Sequence, residues 1–232
     1  MSEHTVSAYD QELTEMAGKV AEMGGLAEKA FADAVSALIS QDIELANATV
    51  AQDARLDQIY QDVEVKLIEL IARRQPMGQD LREITAATRI ANDLERVGDL
   101  AKNVAKRVIA IDSDLQSKKL AIGVEHMTEL ALSQLKQVLD AYARKDAEVA
   151  RHVQEADAEI DALYTSIFRE LLTYMMEDPR VITQCVHLLF CAKNIERIGD
   201  HATNIAENVF YMVTGDRLPE DRKKFDETMA EH

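Results

Sequence analysis

Apolar residues recur along this chain at steps of three and four over long stretches, which predicts amphipathic helices and gives no strand signal. Leu13, Met16, Val20, Met23, Ala27, Ala30, Ala34 and Leu38 fall on one helical face. A second seam runs through Leu56, Tyr60, Val63, Leu67 and Leu70, and a third through Leu94, Val97, Ala101, Val104, Val108 and Ile111. Asp42 suits the N-cap of the second helix, because its short carboxylate can accept from a first-turn N–H. Residues 73–78 break the pattern around Pro76. Asp80 with Glu83 then predicts a capping-box-like start for the third helix.

The three-helix pattern occurs twice. Ala91-Asn-Asp-Leu-Glu95-Arg-Val-Gly-Asp99 returns as Ala192-Lys-Asn-Ile-Glu196-Arg-Ile-Gly-Asp200, and Asn103 returns as Asn204. Upstream, Asp53-Ala-Arg-Leu-Asp57 returns as Asp157-Ala-Glu-Ile-Asp161, and the residues after Asp42 return after Asp146. The offset is 104 residues (Asp53 to Asp157), falling to 101 (Glu95 to Glu196) beyond the Pro76 loop. Matched blocks in one order indicate a duplicated unit. In the second unit Asp146 should start the middle helix, and Asp178-Pro179 supplies an N-cap and a first-turn proline for the last. The expected fold is all-α: two tandem three-helix bundles, residues 1–112 and residues 113–232, the second with a C-terminal tail. Their junction falls near residues 112–119. The narrow, near-heptad seams suit long helices packed in bundles.

Composition agrees and narrows the function. Hydrophobic residues make up 47%, with only three prolines and eight glycines in 232 residues. The net charge of −16 is the wrong sign for nucleic acid or an anionic membrane surface and the right sign for cations or a basic protein face. No apolar run approaches the ~20 residues of a membrane helix, and the polar start lacks a signal-peptide pattern, so a cytoplasmic protein is expected. Cys185 and Cys191 lie six apart on one predicted helix, too far for a disulfide, and read as small buried residues.

Candidate chemistry lies in the acids. Glu95, Asp99 and Asn103 are spaced i, i+4, i+8, as are Glu196, Asp200 and Asn204. Side chains four apart on a helix are neighbours, and like charges there repel. Asp53 with Asp57, and Asp157 with Asp161, repeat the arrangement on the middle helices. Asp53 and Asp157 also continue apolar seams, so they face another helix. Gly98 and Gly199 interrupt helices three residues after the motif glutamates, leaving room for a ligand or a close backbone. Arg96, Arg197, Arg55 or Lys102 could neutralise these acids as ordinary salt bridges. Recurrence in both units favours a cation-binding role. All-oxygen donors suit Mg, Mn, Ca or Fe ions over zinc. His201 follows Asp200 directly, points about 100° off the stripe and reads as a surface histidine. Met175 and Met176 read as core or interface. Nucleotide-loop, dinucleotide-loop and nucleophile-elbow motifs are absent.

At these motifs the chain resembles the PhoU family of phosphate-specific transport accessory proteins. The family pattern is two E(D)-x-x-x-D motifs per three-helix bundle, repeated twice. Glu95 to Asp99, Glu196 to Asp200, Asp53 to Asp57 and Asp157 to Asp161 fit it. Met23-Gly-Gly25, Ala72-Arg-Arg-Gln-Pro76, Tyr174-Met-Met-Glu-Asp-Pro179 and Leu189-Phe-Cys-Ala-Lys-Asn-Ile195 match as well. The likeness covers roughly residues 8–216. It implies a negative regulator of the phosphate regulon and modulator of phosphate uptake. Such a protein is no enzyme and acts by contact with the phosphate ABC transporter ATPase and the phosphate-sensing histidine kinase. It also implies metal ions at the eight motif carboxylates, and a homodimer. The units differ at one telling place: Lys193, three before Glu196, stands where the first unit has Asn92. The rival classes are an oxygen-ligated metalloenzyme and a purely structural helical bundle. No general base or oxyanion donor beside the acids favours the first, and a spacer has no need of repeated acids and glycines.

Overall fold

The computed structural model describes residues 2–111 and 119–218, with side chains from Ala8 onward in the first segment and from Ile122 in the second. The expected junction at 112–119 falls almost wholly outside the described residues, as does the tail beyond Leu218. Seven α-helices and one 3-10 turn account for nearly all the rest, and no strand occurs among the described residues. The first unit holds α1 (Ser2–Ser40), α2 (Ile43–Arg74) and α3 (Gly78–Ala110). The second holds α4 (Lys119–Arg144), α5 (Ala147–Glu155), α6 (Asp157–Glu177) and α7 (Ile182–Thr214), with the 3-10 turn Pro179–Val181 before α7.

Repeated turn chemistry starts the middle helices. Asp42 accepts from the Leu45 N–H at 2.9 Å, and Asp146 accepts from Glu148 and Val149 at 3.0 and 3.1 Å. The residue before each cap, Gln41 or Lys145, is left-handed, with φ of 56° and 54°. Each cap's own N–H closes back on the preceding helix, Asp42 to Ala37 and Asp146 to Ala141. A one-residue reversal and an aspartate cap thus satisfy part of the free groups at the end of one helix and the start of the next.

Three expectations need correction. Asp80 does not cap α3. That helix begins at Gly78, with Met77 at the N-cap and no side-chain cap bond. The left-handed Gln75 and Pro76 already turn the chain, so helix resumes before Asp80 is reached. Glu83 instead takes Lys145 of the second unit in an ion pair of 2.7 Å. The second middle helix is also not continuous: it breaks at Ala156 into α5 and α6. The break puts Asp157 in the first turn of α6, where unpaired N–H groups favour a carboxylate. Asp178 caps the 3-10 turn rather than α7 itself, accepting from the Arg180 N–H at 3.0 Å with Pro179 starting the turn, while the N-cap of α7, Val181, makes no side-chain cap bond.

The two units share one core. α3 packs on α1, α2 and α7; α7 packs on α3, α4, α5 and α6; and α1 meets α4 across the same seam. Val20, Met23, Ala27 and Phe31 of α1 are buried, and so are Val124, Met127, Ala131 and Leu135 of α4, again 104 residues on (Val20 to Val124). α3 and α7 are the most enclosed helices, flanked on both sides, which is why their carboxylates lie between helices.

Candidate acidic sites

In the first unit the four acids from α2 and α3 interact as a group, and a lysine sits among them. Lys102 Nζ donates to Asp53 Oδ2 and to Asp99 Oδ1, the latter at 2.6 Å. Asp53 is the more enclosed partner, with its side chain 9% exposed. Burial works against the Lys102 ammonium, but its hydrogen bonds to Asp53 and Asp99 outweigh it and raise its pKa above the ordinary lysine value. Arg96 closes the outer side, 3.4 Å from Glu95 Oε2 and 3.3 Å from Asp99 Oδ2. Glu95 Oε2 is sealed from solvent and accepts no hydrogen bond. Burial first and Asp99 second push the Glu95 carboxyl up; burial and Asp53 do the same to Asp57. Of the other cations considered from sequence, Arg55 turns away to Glu22 at 2.9 Å. Arg197 makes no ion pair among the described residues.

The second unit keeps the acids and moves the cation. The position matching Lys102 is Thr203, whose hydroxyl donates to buried Asp157 at 3.0 Å. The cation is Lys193 instead, 2.7 Å from Glu196 Oε2 and 5.1 Å from the centre of the Tyr164 ring. Burial pushes the Glu196 carboxyl up, Lys193 lowers it, and Asp200 and Asp161 raise it, with a net rise. So Glu196, Asp200 and Asp161 are within electrostatic reach of one another, while Asp157 is held by α7 through Thr203. Gln134 of α4 is buried here, its Oε1 without a partner and directed at Gly199. Its signal in the sequence was faint: an amide next to the apolar seam of α4.

The motif glycines serve close packing. A Cβ at Gly98 would lie 2.3 Å from Leu56 Cδ2, and one at Gly199 would lie 3.0 Å from Ile160 Cδ1. Leu56 and Ile160 are repeat-equivalent, so each glycine admits a middle-helix apolar side chain. The room expected for a ligand is taken by that side chain. His201 is no surface histidine. It is half-buried and hydrogen-bonded at 2.9 Å to Asp93 across α3 and α7. Both cysteines are free and buried, and burial pushes the Cys191 thiol up to about 12. Met176 is exposed rather than core.

Chemically, each cluster is an all-oxygen cation trap that already holds an ammonium. The donors suit a hard cation, and Glu95 Oε2, near Arg96 but accepting no hydrogen bond, marks unfilled accepting capacity. As arranged, no three Asp, Glu, His or Cys side chains among the described residues are gathered to hold one metal ion.

Fold and clusters together define an all-α protein of two repeated helical units, each carrying interhelical carboxylates of Glu-x-x-Gly-Asp and Asp-x-x-x-Asp type. The family model described as PhoU domain matches residues 20–108 and again residues 124–209. The chain belongs to the PhoU family. It is 58% identical over 225 residues to the phosphate-specific transport system accessory protein PhoU homolog of Rhizobium meliloti, covering 97% of this chain and 95% of that one. The Caulobacter vibrioides homolog is 49% identical over 226 residues, covering 97% and 98%. The crystal structure of PhoU from Pseudomonas aeruginosa superposes with a TM-score of 0.85 at 38% identity, covering 90% of this chain and all of that one. The phosphate transport system regulatory protein PhoU from Streptococcus pneumoniae gives 0.82 at 28% identity, covering 91% and 99%.

Proposed function

We propose that this chain is an accessory protein of a phosphate transport system that restrains phosphate uptake and represses phosphate-starvation genes when phosphate is plentiful. The observation that carries this reading is full-length similarity, 58% over 97% of the chain, to a protein named for that system. On this reading the chain works through protein contact rather than catalysis. It docks to the transporter's ATPase and to a phosphate-sensing histidine kinase in the cytoplasm. No helix among the described residues is long and apolar enough to cross a membrane, so its partners would supply its location. Its net charge of −16 suits basic partner faces. Exposed apolar side chains at the helix tips, Ile68, Met77 and Leu81 in one unit and Leu172, Met176 and Ile182 in the other, offer contact surface for partners or a second copy.

The acidic clusters belong to the same reading. Asp53, Asp57, Glu95 and Asp99 in one unit, and Asp157, Asp161, Glu196 and Asp200 in the other, would hold divalent or trivalent cations in competition with Lys102 and Lys193. A bound ion would supply charge compensation that locks middle and last helices together. The function is tested by deleting the gene in its host and following a starvation-promoter reporter in high phosphate. The reporter should switch on. Normal repression in the deletion strain would remove this assignment.

A further inference from the structure

A cleft of about 630 Å³ opens between the two units, lined by α3 and α7 and closed by Tyr60 of α2 and by Arg217 and Leu218 beyond α7. Its size is that of a small-molecule pocket, which runs roughly 300–1,000 Å³. Its chemistry differs from the rest of this acidic surface. Arg89 of α3 and Arg217 both line it, and neither makes an ion pair among the described residues. Two guanidiniums without an ion pair on one cleft, in a chain with 42 acidic and 26 basic residues, leave unmet anion-binding capacity there. Of the two acids present, Asp93 is engaged by His201 at 2.9 Å, which leaves Glu207 as the one opposing charge without such a partner. Asn92 and Asn204 add amides, and Tyr60 and Tyr211 add aromatic side chains.

We propose that this cleft binds a phosphate-bearing small molecule of nucleotide size. Guanidinium forks match phosphate oxygens with paired, charge-assisted hydrogen bonds. A bare phosphate ion would fill only a small part of the volume. The tyrosine rings and Leu218 suit the flat, less polar remainder of a nucleoside phosphate, and the asparagines its hydroxyls and ring nitrogens. Because α3 and α7 both line the cleft, such a ligand touches both units. The proposal goes beyond the transport role above and does not depend on it.

The test is calorimetric titration of the full chain in chelator, which keeps divalent ions off the acidic clusters. ADP and AMP should bind at millimolar concentration or below, inorganic phosphate should compete, and adenosine should not bind. The Arg89→Gln/Arg217→Gln variant should bind ADP about tenfold more weakly or worse, the loss of one to two charge-assisted contacts. Both arginines are exposed, so the variant should keep its circular dichroism and melting temperature. Glu207→Gln should bind ADP severalfold more tightly, because a like charge is gone. Absence of ADP binding at millimolar concentration, adenosine binding as tightly as ADP, or unchanged ADP affinity in the arginine variant would each overturn the proposal. A response to inorganic phosphate alone, with none to ADP, would overturn the nucleotide-sized ligand.

Discussion

His201 Nδ1 lies 2.9 Å from Asp93 Oδ1, joining α7 of the second unit to α3 of the first. Asp93 is only 7% exposed, so its carboxylate depends on this partner at the seam between the units. Replacing one residue should strand the other. His201→Leu and Asp93→Asn should each destabilise the chain, and a double-mutant cycle should return a coupling of about 0.5–3 kcal/mol, the range for residues in direct polar contact. Additive losses in urea melts would mean that the contact contributes nothing.

Lys102 is the internal cation of the first acidic cluster. In chelator, Lys102→Met should cost on the order of 2 kcal/mol, because Asp53 and Asp99 lose charge-assisted hydrogen bonds. Added manganese should recover more stability in this variant than in the natural chain, since the ion no longer competes with an ammonium. Equal manganese effects in thermal melts would argue against a cation site at these four acids.

Metal binding should raise the melting temperature by mass action. The Asp99→Ala/Asp200→Ala variant should lose both bound metal, measured by elemental analysis after gentle purification, and the metal-induced rise. Unchanged metal content and unchanged melting would leave plain salt bridging as the role of the stripes. Lys193→Asn alone should raise the second cluster's metal affinity, read as metal content per chain, because it removes the ammonium 2.7 Å from Glu196.

The motif glutamates oppose folding at neutral pH. Burial raises the carboxyls of Glu95, Glu196 and Asp57 above their ordinary values of 4.5, 4.5 and 3.8. A raised folded-state acid binds its proton more tightly than the unfolded chain does. Its contribution to stability is therefore present below the ordinary value and lost as pH rises through the folded one. In chelator, Glu95→Gln/Glu196→Gln should melt higher than the natural chain at pH 7, and the gap should shrink as pH falls toward 4.5. A gap that does not change over this range would show that the two carboxyls titrate normally.

Much of this molecule was legible in one dimension. The steps of three and four fixed the helices, because a helix must turn the same side of itself to its neighbours along its whole length. The repeat set the two-unit plan, and Asp42 and Asp146 announced their helix starts, because capping is local chemistry between a side chain and N–H groups two or three residues on. The stripes could be placed on faces for the same reason. What the sequence could not settle is what each face meets. Lys102 reaches Asp53 from another helix, Thr203 takes the same place in the second unit, and Leu56 and Ile160 fill the space that Gly98 and Gly199 leave open. The break at Ala156, the burial of His201 against Asp93 and the cleft holding Arg89 and Arg217 likewise depend on how α3 and α7 lie side by side. Helix formation and capping are decided within a few residues of chain. The partner of a buried charge is decided by packing between helices that can lie a hundred residues apart, and only the tertiary structure holds that information.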